Sequence, residues 1–154
     1  YYGKPAARTD DILNFIPSRV SAILIIVTSF ILHLIYNIFS KLAVLFGKDA
    51  ASLSILNMDY RGAYRIWKRD RRKHASPNSA QTESAMAGAL GLRLGGSAVY
   101  FGKTVEKPYI GDDAGRTIEW KEIRRACILM YVSALLMVIS SVCVFSVVLY
   151  GIIR

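Results

Sequence analysis

Residues 20–40 read VSAILIIVTSFILHLIYNIFS and residues 126–153 read ACILMYVSALLMVISSVCVFSVVLYGII, with no Asp, Glu, Lys or Arg in either run. A hydrocarbon core about 30 Å thick needs roughly 20 apolar residues in helical conformation. Lengths of 21 and 28 residues both satisfy that requirement. The first run continues apolar to Phe46 apart from Lys41, so the two transmembrane helices are placed at 20–46 and 126–153. No Pro interrupts either run, and no Gly before Gly151. The first run is no signal peptide, because it lies well inside the chain and no small-residue cleavage site follows it. His33 falls in mid-span, where a neutral imidazole facing a neighbouring helix is the simplest reading.

The remaining residues carry the charge. The chain has 154 residues, 20 Lys and Arg against 11 Asp and Glu, and a net charge of +9. Residues 47–125 hold 15 of the basic and 9 of the acidic groups, a difference of +6. Lys41 and Lys48 flank one end of this segment, and Lys121, Arg124 and Arg125 the other. By the positive-inside rule the central segment is cytoplasmic, in a multi-pass protein of the cell (inner) membrane. Composition excludes a collagenous or disordered chain. Cys127 and Cys143 would sit about 24 Å apart along one helix, too far for a disulfide. The basic excess does not point to nucleic acid, since charge beside a membrane span is explained by attraction to anionic lipid.

The central segment divides into three pieces. Leu53 to Lys73 reads as an amphipathic interfacial helix, with Leu56, Tyr60, Ala63, Tyr64 and Trp67 on one face and basic residues elsewhere, suited to a membrane surface. Within it the run KRDRRK offers Arg71 or Arg72 to a phosphorylated substrate. Next, Ser76-Pro77-Asn78 forms a turn, and Asn78 caps a following helix with Gln81 returning the bond. That Gly/Ala-rich helix, Ser79 to about Leu94, offers little apolar area to hold it. Its small residues therefore imply close approach of either a ligand or another backbone. The third piece, 95–116, reads as loops or short strands. Its SAVYFGKT (97–104) imitates a phosphate loop but puts Val, Tyr and Phe where compact residues are needed. Gly111-Asp112-Asp113 is a solvated turn, and Thr117 caps the helix that leads into the second span.

Upstream, residues 1–19 form a juxtamembrane segment in which Asp10, Asp11 and Asn14 share a helix face if helical. Such hard oxygen ligands suit Mg²⁺ carried with phosphate, with capping and interface anchoring as the plainer reading. Arg19 can snorkel to the interface. The fold class is therefore an all-α integral membrane protein, with two transmembrane helices, an interfacial amphipathic helix and a Gly/Ala-rich cytoplasmic helix–loop segment. Because the sequence starts at Tyr1 rather than Met, it reads as a fragment or processed product. Two helices make a poor bundle, so a missing N-terminal half or an oligomer partner is expected.

Four blocks occur in order: DDILNFIPSR (10–19), RDRRKHASPNSAQTESAMAGALGLRLGG (69–96), YFGK with KPYIGDD (100–113), and IEWKEIRRA (118–126). Together they closely resemble the membrane-bound adenosylcobinamide-phosphate synthases of cobalamin biosynthesis (CobD/CbiB type). The likeness covers most of the chain and corresponds to the C-terminal half of a typical member, whose first half carries further membrane helices. The stretch 39–56 is longer than the usual linker.

The resemblance implies an ATP-dependent acid–amine ligase. It would join a carboxyl of adenosylcobyric acid, the corrinoid partner, to aminopropanol or aminopropanol phosphate, with ATP and Mg²⁺ as cofactors. It assigns Asp10, Asp11 and Asn14 to Mg²⁺ or the polar substrate, and Ser76 and Asn78 at the helix start to phosphate. Arg69, His74 and Arg93 would be charge partners and Glu83 a base or metal ligand. Gly88, Gly91, Gly95 and Gly96 would permit close approach of substrate. Two other readings stand beside it. A non-catalytic membrane sensor or assembly subunit of the same superfamily would have lost the carboxylate and Asn motifs, which are present. An intramembrane prenyl- or phosphotransferase would need a second Asp-rich motif in a span, and neither span has one. One conflict is built in: a single span between Asn14 and Asn78 puts the two motifs on opposite sides of the membrane, unless the first dips into a shared cavity.

Overall fold

The computed structural model describes residues 3–116 and 118–154. The cap predicted at Thr117 lies outside the described residues. Helices dominate: α1 (Gly3–Leu13), α2 (Phe15–Leu45), α3 (Tyr60–Asp70), α4 (Ser79–Leu90) and α5 (Trp120–Ile153). A 3-10 turn at Ala51–Leu56 and a hairpin of β1 (Ala98–Tyr100) and β2 (Lys103–Val105) complete the elements. α2 and α5 are long and apolar enough to cross a membrane, as the fold class requires.

α1 and α2 are nearly one helix. The Asn14 amide donates to Asp10 O at 2.9 Å and the Ser18 amide to Asn14 O at 3.0 Å. Pro17 sits in the first turn of α2, where its missing N–H costs no helical bond. α2 ends where Gly47 adopts φ +64°. The Lys48 amide returns to Ala43 O and the Gly47 amide to Val44 O, satisfying carbonyls that the helix end orphans.

The amphipathic helix is shorter than its periodicity suggested, and its apolar face, Tyr64 excepted, packs inside the protein. Asn57 is extended, and Asp59 caps α3 by accepting from the Gly62 amide at 2.8 Å. The helix is thus broken upstream of Tyr60. Gly62, Ala63, Ile66 and Asp70 are buried in α3, while Tyr64 is half exposed. This face packs on α4 and α2. The reason is α4 itself, whose small side chains leave a surface that α3 can approach closely.

α4 is the central element, with eight of its twelve residues buried. It lies antiparallel to α3, since the Asp59 amide meets Ala89 O at one end and Trp67 Nε1 meets Gln81 Oε1 at the other. It runs alongside α2 in the same direction, from Ser18 near Asn78 towards His33, which meets Asn57. Buried Ala22, Ile25, Thr28, Ser29 and Leu32 of α2 form its seat with the other helices. α5 returns antiparallel, joined to α2 where Ser133 donates to Thr28 Oγ1 at 3.0 Å beside the fully buried Leu129. Small and hydroxylated residues at this seam suit helix pairing in lipid, where association rests on close packing such as that of the fully buried Leu129. Past Leu135 the apolar side chains of α5 are largely exposed. His33 also packs against the Tyr60 ring at 5.3 Å, as a helix-facing imidazole should.

The phosphate-loop imitation is a hairpin. β1 and β2 are antiparallel with Tyr100 opposite Lys103, and Phe101 and Gly102 both have positive φ, 51° and 76°. That is the two-residue turn favoured between twisted strands, and no helix follows to hold a phosphate.

Candidate functional site

The two sequence motifs that the single-span argument separated are in contact. Because α4 lies alongside α2, its N-terminus returns to the α1–α2 junction. Ser76 Oγ donates to Asp11 Oδ1 at 2.9 Å, and Asn78 Nδ2 donates to Asp11 O at 2.8 Å. Asn78 Oδ1 accepts from Ser18 Oγ at 3.2 Å and from Arg19 Nη1 at 3.1 Å. Both ends of this amide are therefore used across the junction, and Asn78 is buried. The side chain makes no cap bond to α4, which corrects the predicted capping box. Gln81 is diverted as well, accepting from Trp67 Nε1 and donating to Pro77 O at 3.2 Å.

His74 and Glu83 adjoin this junction. His74 Nδ1 lies 3.1 Å from Glu83 Oε2 and 3.2 Å from Ser79 Oγ. His74 Nε2 is buried with no hydrogen-bond partner. With Nδ1 protonated and facing Glu83, Nε2 carries the lone pair, an arrangement in which a carboxylate orients a base.

Asp10 and Asp11 do not converge on a metal. Asp10 Oδ1 accepts from Asn14 Nδ2 at 2.8 Å, whereas Asp11 turns to Ser76. Successive helical residues point about 100° apart, so the pair is split between two partners. Among the described residues no three His, Cys, Asp or Glu side chains gather closely enough for a metal ion. The Mg²⁺ assignment to Asp10 and Asp11 does not fit this donor set.

Arg69 and Arg93 belong to a second network. Arg69 grips Asp70 through Nε at 2.7 Å and Nη2 at 2.8 Å, and reaches Asp112 at 2.9 Å and Gly111 O at 2.6 Å. Arg65 adds a bidentate pair to Asp112 at 2.6 and 2.9 Å. Burial alone would raise the Asp70 carboxyl, but Arg69, the Gly111 amide and Lys73 outweigh it and hold it at about 2. Asp112 is lowered to about 2 by Arg65 first, against partial desolvation, with Arg69 assisting. Arg93 stacks on the Tyr109 ring at 3.8 Å and pairs with Asp113 at 3.2 Å. Arg65 and Arg69 fasten the 109–113 loop to α3, while Arg93, which follows α4, holds Tyr109 and Asp113 with its own Nε buried and unpartnered. The 111–113 turn is tied down at Gly111 and Asp112, while the Asp113 side chain is 94% exposed, as a solvated turn should be.

The glycines face the protein's own atoms. A Cβ on Gly88 would collide with the backbone of Gly62, and one on Gly95 with Pro108 O at 2.5 Å. Gly96 is covered by the Tyr109 ring and Gly91 is the left-handed cap of α4 beside Arg116. The close approach that these small residues imply is therefore by backbone and side chain, not by substrate at those positions. Sequence reasoning missed Ser18 as an Asn78 partner, and saw Arg19 only as an interface anchor. Their spacing from Asn14, one helical turn further along the same strip, was the available signal.

The model of the family described as CobD/Cbib protein matches residues 1–130. A Cobalamin biosynthesis protein CobD of Clostridium perfringens is 40% identical over 151 residues, 96% of this chain and 40% of that protein. Proteins of the same name from Klebsiella pneumoniae and Geobacter metallireducens are 42% and 43% identical, covering 86% and 73% of this chain. The matches span 34% and 28% of those two proteins, so the chain spans well under half of each relative's length. No solved structure matches. The aligned motifs that meet at Asp11 and Asn78 are carried on a chain that belongs to the CobD/Cbib family.

Proposed function

We propose that the chain carries part of the site of an ATP-dependent acid–amine ligase in cobalamin biosynthesis, joining aminopropanol or its phosphate to adenosylcobyric acid. Family membership supports the pathway. The observation that carries the chemistry is the His74–Glu83 pair with its buried, unpartnered Nε2 beside the Asp11–Asn78 junction.

Amide formation needs an activated carboxyl and a neutral amine. In the proposed reaction a substrate carboxylate oxygen takes the terminal phosphoryl group of ATP and ADP leaves. The amine nitrogen then forms the C–N bond as phosphate departs. The nitrogen must lose a proton in this step, and His74 Nε2 is the acceptor, with Glu83 stabilising the imidazolium. Such a base contributes typically 10²- to 10⁴-fold. Asn78, gripped by Asp11, Ser18 and Arg19, holds the loop that carries His74 against α1. The basic flanks of the central segment support a cytoplasmic placement of this site in the cell membrane, on the side where ATP is found.

The test is amide formation from adenosylcobyric acid, amino alcohol and ATP, using membranes that contain this chain with the remaining length of its relatives. Cobinamide product that is lost in His74→Ala, while Lys103→Ala retains it, supports the reading. Undiminished product in His74→Ala contradicts it.

A further inference from the structure

At the opposite end of α4 from Asn78 lies a cavity of about 840 Å³, bounded by the 3-10 turn, the start of α3 and the start of α5. Its volume falls within the range of roughly 300–1,000 Å³ typical of small-molecule sites. Five basic residues line it, Arg61, Arg116, Lys121, Arg124 and Arg125, against the acids Asp59 and Glu122. Both acids are already committed. Asp59 Oδ1 accepts the Gly62 amide at 2.8 Å, and Glu122 Oε2 accepts from Arg125 Nη1 at 2.8 Å.

Arg125 is the fixed point of the wall. Its side chain is 9% exposed and its Glu122 partner 2% exposed. Nη2 donates to Asn57 O at 2.6 Å, while Nε is buried without a partner. The guanidinium is therefore held rigidly in the wall by Glu122 and Asn57. Lys121 is paired with Glu119 and Arg116 Nη2 donates to Leu90 O. Arg61 bonds only the neutral Tyr60 hydroxyl, and Arg124 lies over the Trp120 ring at 6.0 Å. Among the described residues, neither has an acidic partner.

The first turn of α5 also reaches this wall through Trp120, Lys121 and Glu122. Glu119 provides no side-chain cap. The N-terminal amides of this 34-residue helix add partial positive charge. Buried arginine, two acid-free arginines and an uncapped helix start combine in one concavity with an exposed aromatic ring.

We propose that this cavity binds a phosphate-bearing anion, supplied either as a soluble polyphosphate such as a nucleoside triphosphate or as an anionic lipid headgroup. The two sources share the recognition: phosphate oxygens met by Arg61 and Arg124 beside the α5 amides. This inference stands apart from the amide-forming reading, because binding is measured without turnover.

The experiment is isothermal titration of the whole chain in phosphatidylcholine nanodiscs with ATP and, separately, with inorganic tripolyphosphate. It is repeated in nanodiscs containing phosphatidylglycerol, followed by native mass spectrometry of retained lipid. The test variant is Arg61→Glu with Arg124→Glu, and the charge-matched control is Lys4→Glu with Lys103→Glu, both exposed and away from the cavity. We expect at least tenfold weaker binding in the test variant and less than twofold change in the control. If phosphatidylglycerol is retained and suppresses ATP binding in the parent and control but not in the test variant, the natural source is lipid and the cavity assignment stands. Absence of binding by ATP, tripolyphosphate and phosphatidylglycerol overturns the proposal. Equal weakening by both double variants overturns it too, since charge alone would then explain the binding.

Discussion

Asn78 donates its side-chain amide to the main-chain carbonyl of Asp11 at 2.8 Å, across a sequence separation of 67 residues. Its oxygen simultaneously accepts from Ser18 and Arg19. One small side chain thereby ties the α1–α2 junction to the start of α4. Replacing it with Ala leaves the Asp11 carbonyl and Ser18 hydroxyl without these partners, at a cost of about 1–3 kcal/mol. Asn78→Ala is expected to speed hydrogen exchange over residues 3–18 while leaving the α3–α4 contact protected. Hydrogen-exchange mass spectrometry in detergent checks this.

The Gly62–Gly88 crossing sets the distance between α3 and α4. A methyl group on Gly88 must push the helices apart, because its neighbours are backbone atoms of Gly62 and Ala63 rather than a flexible side chain. Overpacking of this kind costs typically 1–3 kcal/mol. Gly88→Ala should lower the thermal midpoint by several degrees, whereas Gly3→Ala, with open space around it, should leave it nearly unchanged. Scanning fluorimetry on the two variants provides the measurement.

Asp70 gives a pH dependence with a definite sign. Its carboxyl is lowered from 3.8 to about 2 in the folded chain, so its contribution is fully present above the unfolded value. That contribution is lost as pH falls from about 4 through about 2. Asp70→Asn should remove it at neutral pH, destabilising by about 2 kcal/mol. Partial exposure of Arg69 and Lys73 keeps this below the roughly 3–5 kcal/mol typical of breaking a fully buried pair. The variant should show a flatter acid limb than the parent when thermal midpoints are compared from about pH 6 to about pH 2.

His74 and Glu83 should separate in an activity assay. Removing the base in His74→Ala is expected to lower cobinamide formation by about 10²- to 10⁴-fold. Glu83→Gln preserves a hydrogen-bonding partner for His74 Nδ1 and should cost less than His74→Ala. Initial rates at saturating substrates decide the order; a larger loss for Glu83→Gln would return the base role to Glu83.

Much of the architecture was legible because hydrophobic length is local information. The uncharged runs at 20–40 and 126–153 fall within α2 (Phe15–Leu45) and α5 (Trp120–Ile153). The imitation phosphate loop was readable from its bulky Val99 and Phe101. The apolar face of the amphipathic segment was legible apart from Tyr64, since Leu56, Ala63 and Trp67 pack into the core. What it packs against was not, because the close approach of Gly62 depends on Gly88, 26 residues away. The site was half legible: Asp11, Ser76, Asn78, His74 and Glu83 all stood out, yet their meeting depends on α4 lying beside α2. Arg69 and Arg93 stood out as free cations because their counterions Asp70, Asp112 and Asp113 come partly from a distant loop.

The account depends most directly on Asp11 and Ser76 being neighbours, as their 2.9 Å hydrogen bond requires. In a chain with Cys127 and Cys143 replaced by Ala, Asp11→Cys and Ser76→Cys should be joined within one molecule by a short bifunctional thiol reagent in intact membranes. The link is read as two peptides held together after cleavage between α1 and α4. Efficient intramolecular linking is the result the structure predicts. Failure to link, although each cysteine reacts singly with the same reagent, would contradict the shared site.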